Sequence, residues 1–161
     1  CGHRDVAFFV GQLHENGVMK KRLAGYQKAL SEFGVPYRPQ YVFEGQIDYE
    51  SGIQMAGALV QKEIPATAVV AAADILAIGA MKGFYELGRS VPDDISIVGF
   101  DDLEISRYLT PGLTTIKQQI SLKGQCAVEL LLKHIAQPDL TKQEEILPLR
   151  LIERGSVRKL G

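Results

Sequence analysis

Two acids in succession, Asp101 and Asp102, close the apolar run Ile95-Ser96-Ile97-Val98-Gly99-Phe100. The run is short and β-branched, and Val91-Pro92-Asp93-Asp94 ahead of it reads as a turn, so it predicts a buried strand with carboxylates at its carboxyl end. In an open parallel sheet that edge is where ligands bind. A carboxylate there accepts two hydroxyl hydrogen bonds at once, which suits a polyhydroxylated ligand. Acidic residues also cap turns, and on pattern alone the two readings stand level. Arg22 lies on the predicted first turn of a helix near the carboxyl end of the first strand. Its guanidinium offers a planar fork for hydroxyls or a carboxylate. Taken by itself, it reads first as a solvated helix-face arginine paired with glutamates. Asp74 opens another predicted helix, where an aspartate satisfies free backbone N–H groups, so capping is favoured over ligand contact.

Other reactive chemistry is sparse. His3, His14 and His134 lack metal-ligand spacing and read as structural or solvent-facing. Cys1 and Cys126 lie far apart, and Cys126, among apolar neighbours on a predicted helix, reads as a buried thiol rather than half of a disulfide. There is no Gly-rich phosphate loop and no Ser-His-Asp set. The paired acids alone do not complete a hydrolytic site. The residues therefore assign no catalytic group, no metal and no cofactor, and the chain does not read as an enzyme.

The elements that must position Asp101 and Arg22 alternate between strand and helix. Val6–Val10, Tyr41–Phe43, Ala68–Ala72 and Ile95–Phe100 are apolar strand-like runs. Between them, helical spacing covers about Met19–Phe33, Asp48–Lys62 and Asp74–Gly88, with Gly34-Val35-Pro36 and Pro65 as breakers. That alternation predicts an α/β architecture with parallel strands. After a Pro111-Gly112 turn come the strand-like Leu113–Ile116, a helix over about Ser121–Ala136, a polar stretch to Glu144, a last strand over Ile146–Ile152 and a basic tail. No internal repeat or low-complexity segment interrupts this order.

At 161 residues the chain is one domain's worth, long enough to bury a core. Hydrophobic content of 46% and charge of 23% are ordinary for a globular protein. A formal net charge of −1 argues against a nucleic-acid surface on this piece, since phosphate binding needs clustered cations and Lys20-Lys21-Arg22 is the densest internal cluster. No apolar run approaches the roughly 20 residues needed to span a bilayer. The opening Cys1-Gly2-His3-Arg4-Asp5 lacks the apolar centre of a secretory leader.

The run from Val91 to Asp102, followed by Arg107-Tyr108-Leu109-Thr110-Pro111 and Leu113-Thr114-Thr115-Ile116, resembles the effector-binding core of the lactose/galactose repressor family of bacterial transcription regulators. The resemblance continues in Arg22–Tyr26, Ala73–Ala80 and Leu151–Ser156, in the family's order, over nearly the whole chain. It implies a Rossmann-like parallel sheet flanked by helices, the C-terminal lobe of a type I periplasmic-binding-protein-like pair. It further implies that residues 1–112 belong to that lobe, that 113–144 form a crossover strand and helix belonging with the N-terminal lobe, and that 145–161 return. On this resemblance the DNA-binding headpiece and most of the N-terminal lobe are absent from the chain, and operator DNA would be reached only through that headpiece.

By the same resemblance, Arg22 becomes a ligand contact, Asp101 the ligand-gripping acid and Asp102 a loop-ordering residue. Asn16 and Val18 occupy ligand-selecting loop positions. Ala73 stands where many members place a sugar-binding Asn, and Ile47 where many place a stacking aromatic, which makes this side of the pocket less polar. The implied protein is cytoplasmic. It senses a sugar or nucleoside-like effector between two lobes and so modulates DNA binding by a homodimer. A periplasmic-type sugar transport receptor is the alternative. Dimer contacts are implied around the helix after Asp74 and the segment after Asp102. The helix from Ser121 has an apolar stripe (Ala127, Leu130, Leu131, Ile135) with no lobe in the chain to cover it, which also favours association.

Overall fold

The computed structural model describes residues 1–15, 17–139, 141 and 143–160. Its strands are β1 (Val6–Gly11), β2 (Val42–Gly45), β3 (Ala68–Ala71), β4 (Ser96–Asp101), β5 (Thr114–Lys117) and β6 (Arg150–Ile152). Its helices are α1 (Val18–Glu32), α2 (Tyr49–Gln61), α3 (Asp74–Glu86) and α4 (Ile120–Ala136). The strands form one six-stranded sheet in the order β2-β1-β3-β4-β5-β6. All neighbours are parallel except β5 and β6, which are antiparallel.

Period-two alternation along β1 explains how the sheet is covered on both faces. Ala7 and Phe9 point into a cluster with Phe43 of β2, Val69 of β3, Ala56 and Leu59 of α2, and Leu76 and Phe84 of α3. Phe8 and Val10 point to the opposite face and pack with Tyr26, Leu30, Val35 and Ala72 beneath α1. A strand buried on both sides has to be apolar throughout, which is why Val6–Val10 shows no polar alternation. The helix α2 opens as its sequence suggests: Asp48 Oδ1 accepts from the Ser51 N–H at 2.7 Å.

Three features differ from the sequence reading. The last strand is only Arg150–Ile152, not Ile146–Ile152, and Ile146 is 95% exposed. Arg150 already pairs with Lys117, the final residue of β5, so earlier residues have no strand to bond. The strand at 114–117, which the resemblance gives to a crossover, is hydrogen-bonded to β4 from Val98↔Thr114 to Asp101↔Lys117. Departure from the sheet therefore comes after Lys117. Cys126 is half-buried rather than enclosed, because no residue of α4 is buried. Val128, Leu131, Leu132 and Ile135 all lie open on that helix.

The helices α2 and α3 pack so closely that a methyl group on Gly79 would overlap the Tyr49 carbonyl oxygen. Gly25, on α1, has nothing within 4 Å of such a methyl. Gly79→Ala should therefore destabilise the fold by about 1–3 kcal/mol through overpacking. Gly25→Ala should stabilise it by about 0.5–1 kcal/mol, as alanine does in a helix interior. Chemical denaturation of the two variants checks the opposite signs.

Candidate ligand site at the carboxyl edge of the sheet

The chain reaches the same edge of the sheet at Gly11, Ala71, Asp101 and Lys117. The helix α1 rises beside it and opens one residue earlier than expected, which puts Arg22 at the start of its second turn. The Arg22 guanidinium reaches across the sheet crest. Its Nη1 donates to the Ala72 carbonyl oxygen. Its Cζ stacks 3.8 Å from the centre of the Phe100 ring. Its Nη2 stands 3.8 Å from Asp101 Oδ1. The two residues singled out from the sequence thus face each other. Burial pulls the guanidinium below its ordinary value, and the nearby Asp101 charge opposes that shift.

Asp101 is held from the other side by Gln118, whose Nε2 donates to Oδ1 at 2.6 Å. Among the described residues no hydrogen bond reaches Oδ2, so that oxygen could accept one from a ligand. Burial raises the Asp101 carboxyl above the usual carboxylate range, against the opposing pull of Gln118 and Arg22. The backbone there is unusual: φ is 129° at Asp101 and 55° at Asp102. Residues with side chains in the left-handed region cost on the order of 1–3 kcal/mol each and concentrate at functional sites.

Asp102, which the resemblance makes a loop-ordering residue, turns to different partners. Its Oδ1 accepts from Arg154 Nη2 at 2.6 Å and its Oδ2 lies 3.3 Å from Lys117 Nζ. Burial pushes this carboxyl up, but the hydrogen bonds from Arg154 and Lys117 outweigh it and hold the group below its usual range.

Asp74 is corrected by the structure. It does not cap α3: the capping position is Ala73, and no side chain caps that end. The Asp74 side chain is wholly buried. Its Oδ2 accepts from the Leu103 N–H at 2.8 Å and the Ser106 hydroxyl at 2.7 Å, and its Oδ1 accepts from the Thr115 hydroxyl.

The remaining expected site residues divide. Val18 and Ile47 are exposed and share the wall of a recess of about 530 Å³ with Gln12, His14 and Met19. Val18 precedes Arg22 by one helical turn, so both lie on one face of α1. Ile47 lies against Gly11 at the end of β1. Ala73, in contrast, is 3% exposed and offers the gap no side-chain surface. It is buried where β3 passes into α3, at the capping position of that helix. Asn16 lies outside the described residues. Gln118 and Phe100 complete the site but were not singled out from the sequence. The only sequence signal for Gln118 was its place just past the end of a strand at the ligand edge.

A family model described as periplasmic binding protein-like domain matches residues 1–157. The chain belongs to this family. Within the periplasmic binding protein-like family its likeness is to regulators of the lactose/galactose repressor type. It is 42% identical over 158 residues to the HTH-type transcriptional repressor PurR of Erwinia tasmaniensis, covering 97% of this chain and 46% of that protein. It is 39% identical over 160 residues to the probable HTH-type transcriptional repressor ExuR of Bacillus subtilis, covering 99% of this chain and 47% of that protein. Among solved structures, a LacI family regulator from Enterococcus faecium with bound ribose superposes with a TM-score of 0.88 at 33% identity, over 99% of this chain and 59% of that one. The lac repressor bound to ONPG in its repressed state gives 0.87 at 37% identity, over 97% of this chain and 46% of that one. The chain spans about half the length of the curated relatives it matches. No helix among the described residues is long and apolar enough to cross a membrane.

A raised carboxyl pKa has a definite consequence for stability. The folded state holds the Asp101 proton more tightly than the unfolded chain does. Ionised Asp101 therefore costs stability at neutral pH, and the cost disappears as pH falls through its folded value. Asp101→Asn should accordingly raise the melting temperature at pH 7, by less than the roughly 4 °C that about 1 kcal/mol produces in a chain of this size. The gain should vanish toward pH 4, as read by thermal melts across that range.

Proposed function

We infer that this chain is the effector-sensing half of a bacterial transcription regulator of the lactose/galactose repressor type. A small hydroxylated molecule, a sugar or related metabolite, binds at the carboxyl edge between Arg22 and Asp101, and a second lobe closes over it. Closure in one conformation and not the other biases DNA binding by headpieces outside this chain, which is the differential affinity that coupling between two sites requires. The observation that carries this reading is the pairing of Arg22 with Asp101 at 3.8 Å across the strand ends. The family match over 1–157 supports it, as do the names of the relatives, which are repressors. Those names favour a regulator over a transport receptor or an enzyme, and they support the reading of a cytoplasmic protein that works beside DNA.

The role of α4 follows from its surface. We propose that α4 and the polar segment after it belong with the second lobe, whereas β5 belongs to the sheet. An amphipathic helix normally buries its apolar stripe, and here Leu131 and Ile135 remain open. Tyr85, Ile105 and Tyr108 are exposed on the side where the family's dimer contacts are expected. We propose that the protein works as a homodimer through that surface.

Two measurements test these proposals. A thermal-shift screen of sugars and nucleosides against the full-length protein should find a ligand that raises the melting point. Arg22→Ala and Asp101→Ala should each weaken its binding by about 10- to 100-fold in calorimetry, the range for losing a charged hydrogen bond worth about 1.5–3 kcal/mol. Unchanged affinity in both variants would refute the site. Light scattering should report a dimer or larger, and a monodisperse monomer at high concentration would refute the association.

A further inference from the structure

The ligand reading uses Asp101 and leaves Asp102 without a task beyond its loop. Yet Asp102 is the better-held residue of the two. Both of its carboxylate oxygens are engaged, by Arg154 at 2.6 Å and by Lys117 at 3.3 Å, and its side chain is only 9% exposed. Its backbone N–H donates to Thr115 Oγ1 at 3.4 Å. Arg154 in turn donates from Nη1 to the Leu113 carbonyl at 2.7 Å, and from its backbone N–H to Thr114 Oγ1 at 2.9 Å. One carboxylate thus joins the end of β4, the segment entering β5, the last residue of β5 and the stretch just after β6.

The joined segments have a special place in the fold. After Lys117 the chain leaves the sheet for α4, and at Arg150 it returns. The residue immediately before Asp102 has φ 129°, a conformation that a residue with a side chain does not hold without outside support. Beyond the contacts that Asp101 makes with Gln118 and Arg22, the next support along the chain is the set of bonds made by Asp102.

We propose that Asp102 is a positioning residue of the ligand site, one that aims Asp101 at the gap by clamping the turn after β4 to both connecting segments. The proposal rests on the reading of Arg22 and Asp101 as ligand contacts. Occupancy of the gap and the seating of the outgoing and returning chain are then linked through two adjacent residues. The linkage is reciprocal: a movement that separates Lys117 from Arg154 also releases Asp101.

The test compares D102N, R154M, R154K and the D102N/R154M double variant in the full-length protein. The first readout needs no ligand. The Leu103 amide is bonded to Asp74, and the Asp102 amide to Thr115. In D102N both should exchange hydrogen at least about tenfold faster, while amides of β1 and β3 keep the parent rates, as a local opening requires. Unchanged rates at 102 and 103, or acceleration throughout the sheet, would overturn the proposal. The second readout is affinity for ribose by calorimetry, followed by cellobiose if ribose does not bind. D102N and R154M should each weaken binding about tenfold, the double variant no further than either single one, and R154K should recover most of the loss. If R22A and D101A weaken binding and D102N does not, the clamp is wrong and the site stands. If R22A and D101A change nothing, the site itself is wrong. Should neither sugar bind, the exchange rates alone decide the clamp. Should D102N fail to fold, K117M, which removes the outer and more exposed partner, carries the same two readouts.

Discussion

A carboxylate with no exposed surface organises the working edge of this molecule. Asp74 stands at the start of α3 and accepts hydrogen bonds from the Leu103 backbone, Ser106 and Thr115. A buried charge is tolerable only when several donors surround it. Here the donors come from the turn after β4, from the single helical turn Glu104–Arg107 that follows and from β5. Satisfying one side chain therefore fixes three segments relative to α3. Gly99 belongs to the same arrangement, because any side chain at that position would overlap the Asp74 carboxyl group. The geometry of Asp101, two residues further along β4, depends on this fixing, and so does the distance across which Arg22 meets it.

Much of the fold was legible because strands covered on both faces have a distinctive composition. Val6–Val10 and Ala68–Ala72 are apolar without alternation, Ile95–Phe100 is interrupted only by the buried Ser96, and each became a central strand. The final strand was misjudged because strand length depends on the partner. Ile146 to Leu149 look like a strand, but β5 ends opposite Arg150. Asp74 was misjudged for a related reason. An aspartate that caps a helix and an aspartate that tethers a distant loop look the same in local sequence, and the donors that distinguish them lie some 30–40 residues away. Ala73 was placed in the pocket by resemblance, yet it lies buried at the start of α3. Gln118 had no local signature. Its relation to Asp101 exists only because β4 and β5 run parallel and end together.

The site is assembled from features that work against stability. Two consecutive residues with positive φ, a carboxyl group whose ionisation burial opposes, and an arginine drawn away from water all lie within a few ångströms. The core on either side of the sheet, from Phe9 and Leu76 to Phe8 and Val10, has no such tension. Proteins commonly carry destabilised functional sites of this kind on a scaffold with stability to spare.

Under the proposed function, the posture of Arg22 bears on how tightly a ligand would be held. Its guanidinium is stacked on Phe100 and tied to the Ala72 carbonyl before anything enters the gap. An unrestrained arginine loses rotamer freedom on capture of a ligand, at a cost of about 0.5–1.5 kcal/mol. Here that freedom is surrendered when the chain folds, so under the proposed function an incoming molecule would meet a fork already set. A lysine in its place would carry the same charge but lack the flat surface that Phe100 supports.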